Sequence, residues 1–214
     1  QVTPTPGPSP TGREGGRQVR FVVQTGDGIG PEGTVNRQGA TCIACGTPVP
    51  FDHIRDEGKA GRMNAQLMAI VTEGKRGRSY YSPDSDHENL AHTAEPDWMP
   101  HGEISHWPGR TNVVEYGMTT FESLFTPRQL TALTTFSDLV GEARQQIYAD
   151  AIHAGLPDDG TPLREGGAGA WAYAEAVSVY LALSVGRQSN RMSTICFWDT
   201  GRESIQHVFA RQAI

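Results

Sequence analysis

Two cysteines separated by two residues, Cys42 and Cys45, are the residues whose type and spacing most clearly indicate chemistry in this chain. They lie in a C-x-x-C-G-x-P stretch, and a thiol pair of this spacing supplies two of the four ligands that structural zinc requires. The remaining cysteine, Cys196, lies far downstream. The sequence therefore predicts half of a zinc site at Cys42 and Cys45, with the other ligands coming from outside this chain.

Two other interpretations of the pair stay open, a redox-active dithiol and plain structural cysteines. A thioredoxin-type pair lies at the start of a helix, which Pro48 and Pro50 disfavour here. His53 follows closely, but we expect it on the surface of a helical turn rather than as a third ligand. Cys196 lies between apolar neighbours, so we expect it to be a small core residue.

Other motifs give weaker signals. The stretch from Gly28 to Gly33 matches G-x-G-x-x-G after a strand, which is typical of dehydrogenases, but residues 34–39 begin no helix that could face a phosphate. We favour a chance match over a redox or dehydrogenase-like enzyme. No nucleophile elbow or P-loop is present, so the sequence shows no catalytic constellation of its own. Four histidines are expected in a solvated loop: His87, His92, His101 and His106.

The net charge of −6 over 214 residues argues against an independent nucleic-acid binder. The charge is nevertheless unevenly distributed along the chain. Residues 55–78 carry six basic side chains against three acidic ones, and residues 79–110 carry one arginine against six acids. Solvated faces explain such blocks most simply, and a phosphate-facing hairpin bearing Lys75, Arg76 and Arg78 is the alternative. Aromatic residues near this block could stack on bases, although packing is favoured: Tyr80, Tyr81, Trp98 and Trp107.

The elements that must position these residues follow from composition and period. Residues 1–18 are rich in Pro, Gly, Ser and Thr and predict a disordered leader. Residues 19–23 alternate as a strand, and residues 34–37 predict a second short extended piece. Residues 67–72 and 78–82 predict strands around a glycine-bounded turn. Residues 84–110 show no period and predict a loop or insertion.

Two long helices are predicted downstream. The first opens with Thr126 as N-cap, proline at the next position and Gln129 completing a capping box, and it stops at Gly155. Its apolar face is expected to comprise Leu130, Leu133, Phe136, Val140, Ala143 and Ile147. The second, at 170–188, is apolar nearly all round and predicts a central, buried helix rather than a membrane span. A short β-prone stretch at 194–198 precedes a last helix, predicted from Thr200 with Glu203 in another capping box.

Several longer words of the sequence, among them EGTVNR, GATCI and YGMTTF, resemble a prokaryotic family of adenine-specific DNA methylases that carry an N-terminal domain of unknown function numbered 1156. The resemblance covers most of residues 19–214 and excludes the leader and much of the 84–110 loop. The similar words lie at residues 32–37, 39–43, 45–62, 66–70, 116–121, 124–144, 180–182 and 209–214.

The resemblance implies a middle piece of an S-adenosylmethionine-dependent DNA adenine methyltransferase. The family's Asp-Pro-Phe-x-Gly-Gly-Gly cofactor loop and its Asp-Pro-Pro-Tyr catalytic motif do not occur in this sequence, so no catalytic or cofactor residue can be assigned. Cys42 and Cys45 correspond to the second C-x-x-C of the family's zinc knuckle pair. The segment's position suits a DNA-recognition insert, because N6 of adenine must leave the base stack before it can be methylated.

The sequence therefore predicts an α+β fragment of a larger α/β methyltransferase. A half zinc-ribbon-like β-hairpin region at 19–83 and the loop at 84–110 precede a helical region at 111–214 that packs on the parent core. DNA, the missing N- and C-terminal parts and, in the intact parent, S-adenosylmethionine are the implied partners. The apolar ending FARQAI is interpreted as a cut, and the low cysteine count and lack of a signal sequence predict a cytoplasmic protein. The alternative is a stand-alone, non-catalytic zinc-ribbon adaptor that binds nucleic acid or protein.

Overall fold

Short antiparallel hairpins alternate with helices along the chain, as the α+β prediction requires. The structure is a computed structural model that describes residues 2–7, 18–24, 33–75 and 77–208. These residues divide into two compact units. The first unit comprises Gln1–Thr93 with Gly102–Thr120, and the second comprises Ala94–His101 with Phe121–Ile214.

Three two-stranded antiparallel pairs form the β structure described in the first unit. The predicted strand at 19–23 is confirmed, and the cysteine pair lies between two strands that pair with each other. The pairs are β1 (Val2–Gly7) with β2 (Gln18–Val23), β3 (Gly39–Thr41) with β4 (Pro48–Pro50), and β5 (Ile70–Gly74) with β6 (Gly77–Tyr81). Near the predicted extended piece at 34–37, the structure has only an isolated bridge from Asn36 to Gly39.

Strand β1 departs from the disorder predicted for residues 1–18. Strand β2 has backbone N–H and C=O groups that can pair with another strand. Val2–Gly7 pairs with β2 over all six residues, and Pro4 lies opposite Phe21. Proline cannot donate to a ladder, but it is tolerated in an edge strand, and both strands of a two-stranded sheet are edges. Residues 8–17 and the glycine-rich loop at 25–32 lie outside the described residues.

Helix α1 (Phe51–Lys59) packs against a short 3-10 helix, Asn112–Tyr116, through two glycines. Gly117 ends the 3-10 helix with φ of 87°, and its Cα faces the backbone at Gly58. A Cβ atom on either glycine would overlap the backbone of the other segment. Beside this contact, Arg55 Nε lies 3.0 Å from Glu115 Oε2.

Helix α2 (Ser85–His92) corrects the prediction of a continuous loop over 84–110. Asp84 is its N-cap, and the carboxylate accepts a hydrogen bond of 2.8 Å from the backbone N–H of His87. Asp86 and Glu88 lie in the first turn, where carboxylates interact favourably with the helix dipole. The acidic residues that made the segment look like a solvated loop therefore stabilise the start of a helix.

Helices α3 (Pro127–His153) and α4 (Ala170–Ser189) form the centre of the second unit. Thr126 accepts from the N–H of Gln129 at 3.3 Å, and Gln129 Oε1 accepts from the N–H of Thr126 at 2.9 Å, so the predicted capping box is confirmed. Phe136 and Val140 line a groove with residues near the end of α4, whereas Tyr148 contacts Trp171 at its start. The two helices therefore pack antiparallel.

The buried apolar side chains of the described residues all belong to the second unit: Leu124, Leu130, Leu133, Ala151, Ala170, Ala172 and Ala174. The predicted face of α3 is buried at Leu130 and Leu133, but Phe136 is 52% exposed. Helix α4 is buried at Ala170, Ala172 and Ala174, but the prediction that it is buried is wrong for its later turns, where Tyr180 and Leu183 are exposed. None of the described helices is long and apolar enough to cross a membrane.

A β-hairpin replaces the helix predicted from Thr200. Strands β7 (Phe197–Asp199) and β8 (Ser204–Gln206) pair antiparallel, so the β-prone stretch forms a strand only at its end. The Asp199 carboxylate accepts from the N–H groups of Gly201 at 2.9 Å and Arg202 at 3.1 Å, which closes a turn instead of starting a helix. Residues 209–214 lie outside the described residues.

Candidate functional site

The cysteine pair lies on a closed turn between β3 and β4. The N–H of Cys42 donates to the carbonyl of Thr47 at 2.9 Å, and the N–H of Gly46 donates to the carbonyl of Cys42 at 2.8 Å. Gly46 has φ of 76°, a left-handed conformation that glycine adopts without steric cost. Backbone bonds therefore fix the segment that carries both thiols.

Both thiols are free of disulfides and reach the surface to different extents. Cys45 is exposed and its Sγ donates to Thr47 Oγ1 at 3.1 Å, whereas Cys42 is half-buried. Neither thiol lies at the N-terminus of a helix, since α1 begins only at Phe51. Two soft sulfur donors on a fixed turn suit two positions of a tetrahedral zinc site better than a thioredoxin-type redox pair.

The structure does not bring a further cluster of ligands to this turn within the residues that it describes. Among these residues, no group of three or more His, Cys, Asp or Glu side chains is placed to hold a metal ion. His53 is exposed on α1, where the sequence places it. Cys196 is half-buried, with its sulfur 3.2 Å from Ser193 Oγ.

The histidines of residues 84–110 lie in separate surroundings. His87 Nδ1 lies 2.6 Å from Asp84 Oδ2 at the start of α2, while His92 lies in the last turn of that helix. His106 Nε2 lies 3.9 Å from Glu115, and His101 is exposed. Hydrogen bonds from His87 lower the pKa of the Asp84 carboxyl. These contacts stabilise local structure and do not assemble one site.

The hairpin of β5 and β6 is the predicted nucleic-acid element. Its strands extend further toward the turn than the sequence suggests, because Glu73 and Gly74 pair with Arg78 and Gly77. Lys75 is exposed in this turn, and Arg76 lies outside the described residues. Arg78 lies across from Glu73, so its positive charge faces a negative one.

The base of this hairpin is tied to β2. The N–H of Val23 donates to Ser82 Oγ at 3.0 Å, directly after β6. The Gln66 side chain, before β5, donates to the carbonyl of Val19 at 2.9 Å. The hairpin is therefore held at both ends by a neighbouring strand of the same unit.

The basic block at 55–78 is less positive in the fold than in the sequence. Glu57 accepts two hydrogen bonds of 2.7 Å from Arg62. These bonds lower the pKa of Glu57 and raise the pKa of Arg62. Arg55 pairs with Glu115. This charge pairing, which the sequence does not show, lowers the net positive charge that the block presents to a partner.

Trp107 is exposed, although packing is the sequence-based expectation. Its side chain is 67% exposed, and the Arg110 guanidinium lies 5.9 Å from the ring centroid. Thr111 fixes the loop, since its Oγ1 accepts from the N–H of Trp107 at 2.6 Å. Trp98 instead donates through Nε1 to the carboxylate of Asp138 at 3.1 Å. Trp107 is therefore available for stacking, which its neighbouring prolines and histidines did not indicate.

Comparison with known proteins finds no matching family model, curated protein or solved structure. The resemblance to the adenine-specific methylases therefore stays a prediction that depends on the sequence words themselves.

Proposed function

We propose that this chain is the central segment of an S-adenosylmethionine-dependent DNA adenine-N6 methyltransferase, contributing half of a zinc knuckle and a DNA-recognition element. The observation that carries the proposal is the closed turn that presents the thiols of Cys42 and Cys45. The chain is not catalytic alone, because its sequence contains neither the cofactor loop nor the Asp-Pro-Pro-Tyr motif.

The zinc assignment also agrees with how the first unit is stabilised. Buried apolar side chains among the described residues belong to the second unit. Small units with little apolar burial commonly depend on a metal or disulfides, and structural zinc contributes folding free energy directly. A second thiol pair from the parent methyltransferase would complete the coordination of Cys42 and Cys45.

The DNA assignment depends on the hairpin turn. A base-modifying enzyme must hold the duplex while one base leaves the stack, and contacts to phosphates provide that hold without reading sequence. Lys75 is exposed at the turn, with Arg76 next in sequence and Arg78 on β6. The helical region is proposed to pack on the catalytic core of the parent.

Cobalt titration of the purified chain tests the metal proposal, since the thiolate-to-cobalt absorption band reports how many thiolates bind. We expect weak, substoichiometric binding that the Cys42→Ser and Cys45→Ser variants abolish. Cys196→Ser is the matched control and is expected to bind as the unaltered chain does. Tight one-to-one zinc from this chain alone would refute the half-site and support the stand-alone adaptor.

Fluorescence anisotropy with an adenine-containing duplex over a salt series tests the DNA proposal. Replacing Lys75 or Arg78 by Gln is expected to weaken binding and to reduce the salt slope by about 1 for each phosphate that is no longer neutralised. Arg164→Gln, an exposed arginine of the second unit, is the control. Equal affinity for all three variants would exclude the hairpin as the DNA-binding element. Methyl transfer to DNA by the chain alone would overturn the non-catalytic assignment.

A further inference from the structure

The loop that carries Trp107 in the first unit has a backbone fixed by hydrogen bonds. The hydroxyl of Thr111 accepts from the N–H of Trp107 at 2.6 Å and donates to the carbonyl of Ser105 at 2.7 Å. The carbonyl of Trp107 accepts from the N–H groups of Arg110 at 2.8 Å and Thr111 at 2.9 Å. The exposed indole therefore stands on a closed turn, and a ligand that contacts it need not order this backbone.

Arg110 places a positive charge over this indole. Its guanidinium carbon lies 5.9 Å from the ring centroid, within the range of a cation–π contact. Arg110 takes part in none of the ion pairs found among the described residues, unlike Arg55 and Arg62. A stacked guanidinium still directs its N–H donors outward from its edge. Arg110 can therefore bind an anion beside the ring that it covers.

Trp107 is isolated from other exposed apolar side chains of its own segment. It is the one large hydrophobic side chain that is exposed among the described residues from Gly102 to Thr120. A protein interface has a core of several apolar side chains around such an anchor, whereas a nucleobase needs one ring face and a cation for its phosphate. The surroundings of Trp107 therefore favour a nucleobase as the ligand.

We propose that Trp107 stacks on an unpaired nucleobase and that Arg110 binds the adjacent phosphate. The inference rests on the proposed function, because removing an adenine from the duplex leaves its partner base unpaired. Stacking on an aromatic side chain contributes about ten- to a hundredfold in affinity and tolerates any base, since every base has a flat face. Trp107 thus adds a contact to a base, which phosphate contacts at the β5–β6 hairpin do not provide.

Fluorescence anisotropy of the full chain with two single-stranded oligonucleotides of equal length tests the stacking. One strand carries thymine at every position and the other carries abasic sites, so only the first has bases to stack. We expect the thymine strand to bind at least about tenfold more tightly. Trp107→Leu should abolish this difference and leave the affinity for the abasic strand unchanged. Trp107→Phe is the matched control, because it keeps an aromatic face and should keep most of the difference.

A salt series with both strands tests the phosphate contact. Arg110→Gln should weaken binding of both strands and reduce the salt slope by about 0.7, the value for one phosphate of a single strand. Arg164→Gln, with an exposed arginine of the second unit, should leave the slope unchanged. An unchanged slope for Arg110→Gln would refute the phosphate contact.

The outcomes separate this inference from the proposed function. Failure to bind either strand, equal affinity for both, or a thymine preference that survives Trp107→Leu would overturn the stacking, even if the hairpin binds duplex DNA. A thymine preference that depends on Trp107 would support the stacking, even if duplex binding does not depend on Lys75 and Arg78.

Discussion

Replacing Gly58 by alanine should destabilise the first unit, although alanine is the better helix former. Gly58 lies in α1 with ordinary helical backbone, so the substitution causes no φ strain. The added Cβ, however, would lie 2.9 Å from the carbonyl carbon of Tyr116 and closer still to its oxygen. These are backbone atoms, which cannot rotate away as a side chain does. Either α1 or the 3-10 helix must therefore move.

The magnitude follows from two opposing effects. Glycine to alanine inside a helix ordinarily stabilises by about 0.5–1 kcal/mol, whereas overpacking that forces a backbone shift costs about 1–3 kcal/mol. We expect a net loss of about 1–2 kcal/mol for Gly58→Ala on these values. Gly141→Ala in α3 is the matched control, because nothing lies within 4 Å of the built Cβ, and it should gain stability.

Amide hydrogen exchange measured by mass spectrometry reports the protection of each unit separately. Gly58→Ala should lower protection in Phe51–Lys59 and Asn112–Tyr116, while α3 and α4 keep theirs. A urea titration should show opposite shifts of midpoint for Gly58→Ala and Gly141→Ala. If Gly58→Ala is as stable as the unaltered chain, or more so, the close contact between α1 and the 3-10 helix does not exist.

Two further predictions concern single interactions. Thr126→Ala removes the capping box of α3 and should cost about 1 kcal/mol in urea unfolding, whereas Thr135→Ala, at an exposed position inside the same helix, should be neutral or stabilising. Because Arg62 lowers the pKa of Glu57 below 4.5 in the folded chain, the stabilisation by this pair is complete above about pH 4.5. It is lost as the pH falls through the lower folded-state pKa. Carboxyl NMR titration should show an ordinary Glu57 pKa in Arg62→Gln; an unchanged value would contradict the assignment.

Helix α3 shows what local sequence determines. Its N-cap, the proline after it and the glutamine of the capping box interact within four residues, so the start at Pro127 could be predicted. Its end, two residues before Gly155, follows from the left-handed backbone that glycine adopts there, with φ of 86°. Such signals need no tertiary contact to be effective.

The predicted burial of α4 and the loop predicted over α2 are both wrong, because neither outcome depends on the apolar pattern alone. The bounds of α4 were predicted closely, but its sequence could not show that α3 covers only one side. Helix α2 has few apolar residues and was missed, although Asp84 followed by Asp86 and Glu88 is an N-terminal helix signal. Caps indicate helix ends even where the period is weak.

The hairpin after Thr200 shows the opposite error. Thr200 and Glu203 have capping-box spacing, but Asp199 competes for the same backbone N–H groups and closes a turn at Gly201. Glu203 adopts a positive φ of 46°, which a helix does not allow. A side chain one position before the motif thus decided between helix and turn.

Some features of the candidate site also depend on adjacent residues, and others depend on contacts between residues that are distant in sequence. The closed turn at Cys42 and Cys45, including the positive φ of Gly46, follows from adjacent residues and could be predicted. The charge around the hairpin could not, because Arg62 and Arg55 are paired by folding, the latter with a glutamate sixty residues away. The sequence therefore indicates which atoms can bind a metal. The remaining metal ligands, and the electrostatic potential that a DNA phosphate would meet at the hairpin, depend on tertiary contacts and on the proposed partners of this chain.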